Sequence, residues 1–126
     1  MATVNLGEQT FMPAIEKNGT VIVDFWAEWC PPCKRFAPTF EAASEKHGDI
    51  LFGKVDTEAE QNLAAQAGIT NIPTLMAFRD GILVYREAGA LPPPAFEKLI
   101  AEIEALDMDK VRADIAEREA AEATEA

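Results

Sequence analysis

Apolar residues recur along this chain in two alternating patterns, short unbroken runs and stepped stripes. Residues 20–26 form a nearly continuous apolar run holding the β-branched Val21, Ile22 and Val23, as expected of a central strand buried on both faces. Residues 50–55 and 74–78 are shorter runs of the same kind. Asp80-Gly81 separates the latter from residues 82–85 and signals a two-residue hairpin. Between the runs lie helical stripes. Phe36, Phe40 and Ala43 step by four and three, Leu63, Ala64 and Ala67 precede the C-cap candidate Gly68, and Phe96, Leu99, Ile100 and Ile103 follow Pro92-Pro93-Pro94. Alternation of this kind predicts an α/β layer structure with one antiparallel edge.

The last twenty residues break the pattern. Met108, Val111 and Ile115 make a small stripe that points about a quarter-turn away from the stripe ending at Ile103. The chain is therefore expected to break near Leu106-Asp107, with Asp107 as N-cap of a short helix. Beyond Ala116 the Ala/Glu run has helix propensity but no apolar face, so fraying is expected there. We divide the chain into a domain over 1–106 and an acidic extension over 107–126.

A length of 126 residues suits one domain with a sizeable core. Eleven basic against 22 acidic residues give a net charge of −11, a field that repels phosphate backbones and anionic lipid, so neither nucleic acid nor a membrane is an expected partner. The first twenty residues hold Glu8 and Glu16 with no basic stretch followed by an apolar one, which predicts a cytoplasmic address. There, two cysteines point to redox chemistry or metal binding rather than to a structural staple.

Those cysteines stand in Trp29-Cys30-Pro31-Pro32-Cys33, just after a predicted strand and at the start of a predicted helix. A spacing of two residues puts the sulfurs one helical turn apart. The first cysteine meets the unpaired N–H groups and partial positive charge of a helix start, which favour a thiolate. A zinc site would usually need four ligands, whereas the chain offers two cysteines and one histidine, so redox exchange is the favoured chemistry and no metal is expected. Pro31 and Pro32 remove two N–H groups, leaving those of Cys33 and Lys34 to stabilise the sulfur. Asp24 is the only charge in the 21–26 run. Burial there would raise its pKa and suit it to proton transfer near neutral pH. Ile72-Pro73 precedes the 74–78 run, where proline could simply open an edge strand. His47 continues the Phe36–Phe40–Ala43 stripe near a helix end and is given no catalytic part.

The stretch from Val23 through Cys30 to Lys34, Ala37-Pro38, Lys54-Val55-Asp56, the segment 68–74, Asp80-Gly81 and Gly89-Ala90-Leu91 together resemble the thioredoxin family in order and spacing across residues 1–106. The resemblance implies a central five-stranded mixed sheet flanked by four helices, with the extension added. It implies dithiol–disulfide exchange on disulfide-containing protein substrates, with Cys30 as nucleophile and Cys33 as resolving thiol. Asp24 would lie beneath the cysteines and help deprotonate Cys33, with Lys54 tuning its charge. The bond before Pro73 would be cis, and Trp29, Ile72, Pro73, Gly89 and Ala90 would form the substrate-docking surface. No bound cofactor is implied; electrons would come from NADPH through a flavoprotein thioredoxin reductase, and we expect a monomer. The chain departs from the commonest family pattern in having Pro31 where glycine is usual. A more oxidising disulfide isomerase and a thioredoxin-like binding module or co-chaperone are the competing functions.

Overall fold

The most apolar run of the sequence becomes the middle of the sheet. In the computed structural model, which describes residues 2–125, Thr20–Trp26 (β2) pairs parallel with Leu51–Asp56 (β3) and antiparallel with Thr74–Arg79 (β4). Thr3–Asn5 (β1) adds to the far side of β3, and Ile82–Ala88 (β5) to that of β4, giving the order β1-β3-β2-β4-β5. The helices are Phe11–Lys17 (α1), Pro31–Lys46 (α2), Gln61–Gln66 (α3), Pro93–Glu104 (α4) and Met108–Glu125 (α5).

Alternation along the strands supplies one core to each sheet face. Ile22, Phe52, Leu75 and Ala77 meet Phe36, Phe40 and Ala43 of α2 and the Phe96–Ile103 stripe of α4. Val21, Val23, Phe25, Val55, Met76 and Phe78 meet Phe11 and Ile15 of α1 and Leu63 of α3. The first core is ring-rich, with Phe36–Phe96 centroids 5.2 Å and Phe40–Phe52 centroids 5.3 Å apart, both edge-on. Burying each such ring contributes roughly 1.5–3 kcal/mol, so these contacts hold α2 and α4 against the sheet.

The turns follow their local chemistry. Asp80 and Gly81 both take positive φ, 52° and 80°, the type I′ geometry that suits a two-residue hairpin. Gly68, at φ +69°, ends α3 in a Schellman motif, with the Ile69 N–H donating to Ala64 O and the Gly68 N–H to Ala65 O.

Three expectations need correction. Residues 3–5 and 11–17 are ordered elements that the hydropathy pattern did not single out, being too short for a clear period. β5 continues to Ala88 rather than ending at Tyr85, because Arg86, Glu87 and Ala88 pair with buried β4 residues while their own side chains reach solvent. The C-terminal helix is neither short nor frayed within the described residues; α5 runs for 18 residues. Asp107 caps it as expected, accepting from the N–H groups of Asp109 and Lys110 at 3.1 and 3.2 Å. Met108 is buried, Arg112 joins Asp109 and the hairpin residue Asp80, and the Ala/Glu/Arg composition then sustains the helix by propensity. The corner before α5 is closed by Arg79, whose Nη1 donates to Ile103 O at 2.7 Å and Glu104 O at 3.2 Å.

Candidate active site

The chain leaves β2 at Trp26 and re-enters regular structure at Pro31, so Cys30 occupies the N-cap of α2 in extended conformation (φ −96°, ψ 106°). Pro31 and Pro32 fill the first helical positions, where an N–H would lack an intrahelical partner in any case. Cys30 and Cys33 form a disulfide. The Cys33 N–H donates to Cys30 Sγ at 3.2 Å. The Lys34 N–H is directed instead to Cys30 O at 3.1 Å, so it is not free to support the sulfur as expected. With two prolines ahead of it, the Cys33 amide is the donor left for Cys30. Cys30 and Cys33 are equally buried, both 2% exposed, because Ala27, Trp26 and Ile72 pack around the disulfide as a unit.

Asp24 is fully buried, 0% exposed, and neither carboxyl oxygen has a protein hydrogen-bond partner. Burial pushes its pKa from 3.8 up to about 7, and the positive charge of Lys54 partly offsets that rise. Alternation along β2 puts Asp24 on the same sheet face as Ile22, the face that α2 covers. Lys54 is its register partner on β3, and the Lys54 ammonium lies 4.7 Å from the centroid of the Trp26 ring.

Opposite the disulfide stands the Ile72-Pro73 bond, which is cis. Cys30 Sγ lies 3.7 Å from Ile72 O, and the Gly89 N–H donates to Pro73 O at 2.8 Å. These contacts bring Cys30, the 72–73 loop and the end of β5 together. Around them Trp29 is 65% exposed, Gly89 and Ala90 are exposed and Ile72 is half-buried. Pro73 is itself buried; it shapes the loop but offers little surface. The Trp29 indole is held by its Nε1–H, which donates to Glu58 Oε1 at 2.7 Å. A groove of about 180 Å³ runs beside it, floored by Ile69 and Ile72 and edged by Thr57 and Asn71. His47 is remote from this site and joins Glu97 of α4 at 2.8 Å.

Two residues at the site were missed in the sequence. Trp26 could have been found, because it stands two positions after Asp24 on one strand and must share its face. Glu58 carries no local signal; it is one acid of several in a loop, and only the fold brings it to Trp29.

The CxxC pair at the start of α2, with the 72–73 loop against it and Asp24 buried on the sheet face that α2 covers, suits thiol–disulfide exchange. The family model described as Thioredoxin matches residues 2–105, and the chain belongs to the thioredoxin family, a family of protein-disulfide oxidoreductases. A thioredoxin homologue of Streptomyces coelicolor is 47% identical over 119 residues, covering 94% of this chain and 89% of that protein. A match of that length reaches into the 107–126 extension. The thioredoxin of Bacillus subtilis is 39% identical over 101 residues, 79% of this chain and 96% of its own. Among solved structures, Plasmodium falciparum thioredoxin superposes with a TM-score of 0.73 at 35% identity, covering 79% of this chain and 97% of that one.

Proposed function

We propose that the chain works chiefly as a reductant of protein disulfides, with Cys30 as nucleophile and Cys33 as resolving thiol. The observation that carries this assignment is the placement of Cys30 Sγ at the N-cap of α2, against Ile72 O of the facing loop and on the Cys33 N–H. In the reduced protein that N–H would stabilise a Cys30 thiolate. The thiolate attacks one sulfur of a substrate disulfide, forming a mixed disulfide and releasing the other sulfur as a thiolate. Cys33, once deprotonated, attacks Cys30 Sγ and expels the second substrate thiolate. The substrate gains two electrons, and the chain ends in the Cys30–Cys33 disulfide.

Asp24 is the acceptor for the Cys33 proton in this scheme. A carboxyl with a pKa raised to about 7 is part-ionised at neutral pH and close to the range in which thiols titrate. Lys54 keeps that value from rising further. Trp29, Ile72, Gly89 and Ala90 offer substrate a shallow apolar platform, and the buried Pro73 holds the loop that carries it. Re-reduction by NADPH through a flavoprotein thioredoxin reductase, and action as a monomer in a reducing compartment, complete the proposal. No helix among the described residues is long and apolar enough to cross a membrane. The test is a coupled assay: a model protein disulfide, NADPH and a flavoprotein thioredoxin reductase should consume NADPH only when this chain is present, and Cys30→Ser should abolish turnover.

A further inference from the structure

Asp24 and Trp26 on β2 stand in parallel register with Lys54 and Asp56 on β3, so the four side chains form a two-by-two block on one sheet face. Asp24 is fully buried, whereas the other three are partly exposed. Trp26, Lys54 and Asp56 also line a cavity of about 240 Å³, together with Glu60, the N-cap of α3. Among the described residues, no carboxylate comes within ion-pairing distance of the Lys54 ammonium. The ring of Trp26 holds it, 4.7 Å from the centroid. Lys54 therefore pairs in register with the buried Asp24 and lines one cavity with Asp56 and Glu60, whose Oδ1 and Oε1 accept the N–H groups of Glu58 and Ala59 and of Glu8.

We propose that Trp26 and Glu60 are opposed positioning residues for Lys54: the indole face keeps the ammonium close to Asp24, and Glu60, with Asp56, draws it outward into the cavity. The idea rests on the assignment of Asp24 as proton acceptor. Ionised Asp24 attracts Lys54 inward; once Asp24 takes a proton that attraction ends, and the cavity acids prevail. Each proton transfer thus moves a cation, and the balance between the ring and Glu60 sets how strongly Asp24 holds its proton. The other groups that face Asp24 are few. Lys54 is the one charged side chain acting on it, β4 presents Leu75 opposite it, and α2 covers this face with apolar side chains and Cys33.

The test is the titration of the Asp24 carboxyl in the oxidised protein, followed by carbon NMR, where the cysteines do not titrate. Trp26→Leu should raise the Asp24 midpoint by about half a pH unit, as a cation–π contact of about 0.5–1 kcal/mol implies, and Trp26→Phe should restore most of the shift. Glu60→Gln, which keeps an acceptor for the Glu8 N–H that Glu60 Oε1 receives at 3.0 Å, should lower the midpoint. Removing a negative charge would also do this directly, so the same change is made in Lys54→Met. Loss of the Glu60 effect in that background supports the proposal. An equal shift with and without Lys54, or a Trp26→Leu shift in the downward direction, overturns it. Failure of Asp24 to act as proton acceptor would be seen separately, as an Asp24→Asn rate equal to wild type with these titration shifts intact.

Discussion

The Cys33 amide donates its hydrogen to Cys30 Sγ at 3.2 Å, and this is the one backbone bond directed at the sulfur by the start of α2. Pro31 and Pro32 have no N–H to give, and the Lys34 N–H is spent on Cys30 O. A single donor is thus left to stabilise a Cys30 thiolate, aided by the helix dipole.

The two cysteines should behave differently although they are equally buried. On the proposed roles, Cys33→Ser should leave Cys30 able to attack but unable to be released, so mixed disulfides with protein substrates should accumulate. Cys30→Ser should accumulate few. Non-reducing gels of extracts trapped with each variant make the comparison; equal trapping would reverse or dissolve the assignment.

Asp24 makes stability depend on pH in a definite direction. Its folded pKa of about 7 lies above the unfolded value of 3.8, so the unfolded state gives up its proton first. Below pH 3.8 the residue carries no penalty; stability then falls as pH rises to about 7 and levels off above it. The shift corresponds to about 4 kcal/mol. Asp24→Asn should therefore stabilise the protein by a few kcal/mol at pH 8 and by little at pH 4, as read by urea unfolding at both. Disulfide reduction by this variant should be slower at neutral pH.

On the proposed docking role of Trp29, Glu58 should serve substrate binding rather than chemistry. Its carboxylate accepts from Trp29 Nε1 at 2.7 Å on the exposed platform, a bond worth about 0.5–1 kcal/mol net. Glu58→Ala should raise KM for a protein disulfide roughly threefold and leave kcat unchanged. The reaction with a small-molecule disulfide, which does not need the platform, should not change.

The extension is expected to stabilise the domain without serving the site. Met108 is buried and Arg112 reaches Asp80 in the β4–β5 turn, while the residues of the disulfide site lie upstream of α5. A chain ending at Leu106 should lose about 2 kcal/mol, the worth of one buried methionine and a surface ion pair. It should reduce a model protein disulfide at near the full rate. Denaturant titration and the coupled assay measure the two effects separately.

How much of this was legible in the sequence depended on whether the cause was local. Asp80-Gly81 needs nothing beyond its own φ preferences to make a turn, and it does so. The 20–26 run had to be central, because nothing but burial on both faces tolerates so many consecutive apolar residues; Asp24 was conspicuous for the same reason. Asp107 was readable as a cap from the mismatch of two helical stripes. β1 and α1 were not readable, since three and seven residues are too few to show a period, and their order comes from packing on β3 and β2. The full length of α5 was not legible, since beyond Ala116 the helix has no apolar face and is sustained by Ala/Glu propensity alone. Glu58 became part of the site only when folding placed it beside Trp29.

The most direct test of reductive function is the equilibrium of the Cys30–Cys33 pair in glutathione buffers of graded poise. A reductant should have a midpoint near the value of about −270 mV that typifies thioredoxins. The pair should then be oxidised by nearly all glutathione mixtures and need a stronger dithiol to stay reduced. A midpoint near about −180 mV, as in protein disulfide isomerase, would contradict the assignment and make the chain an oxidant or isomerase.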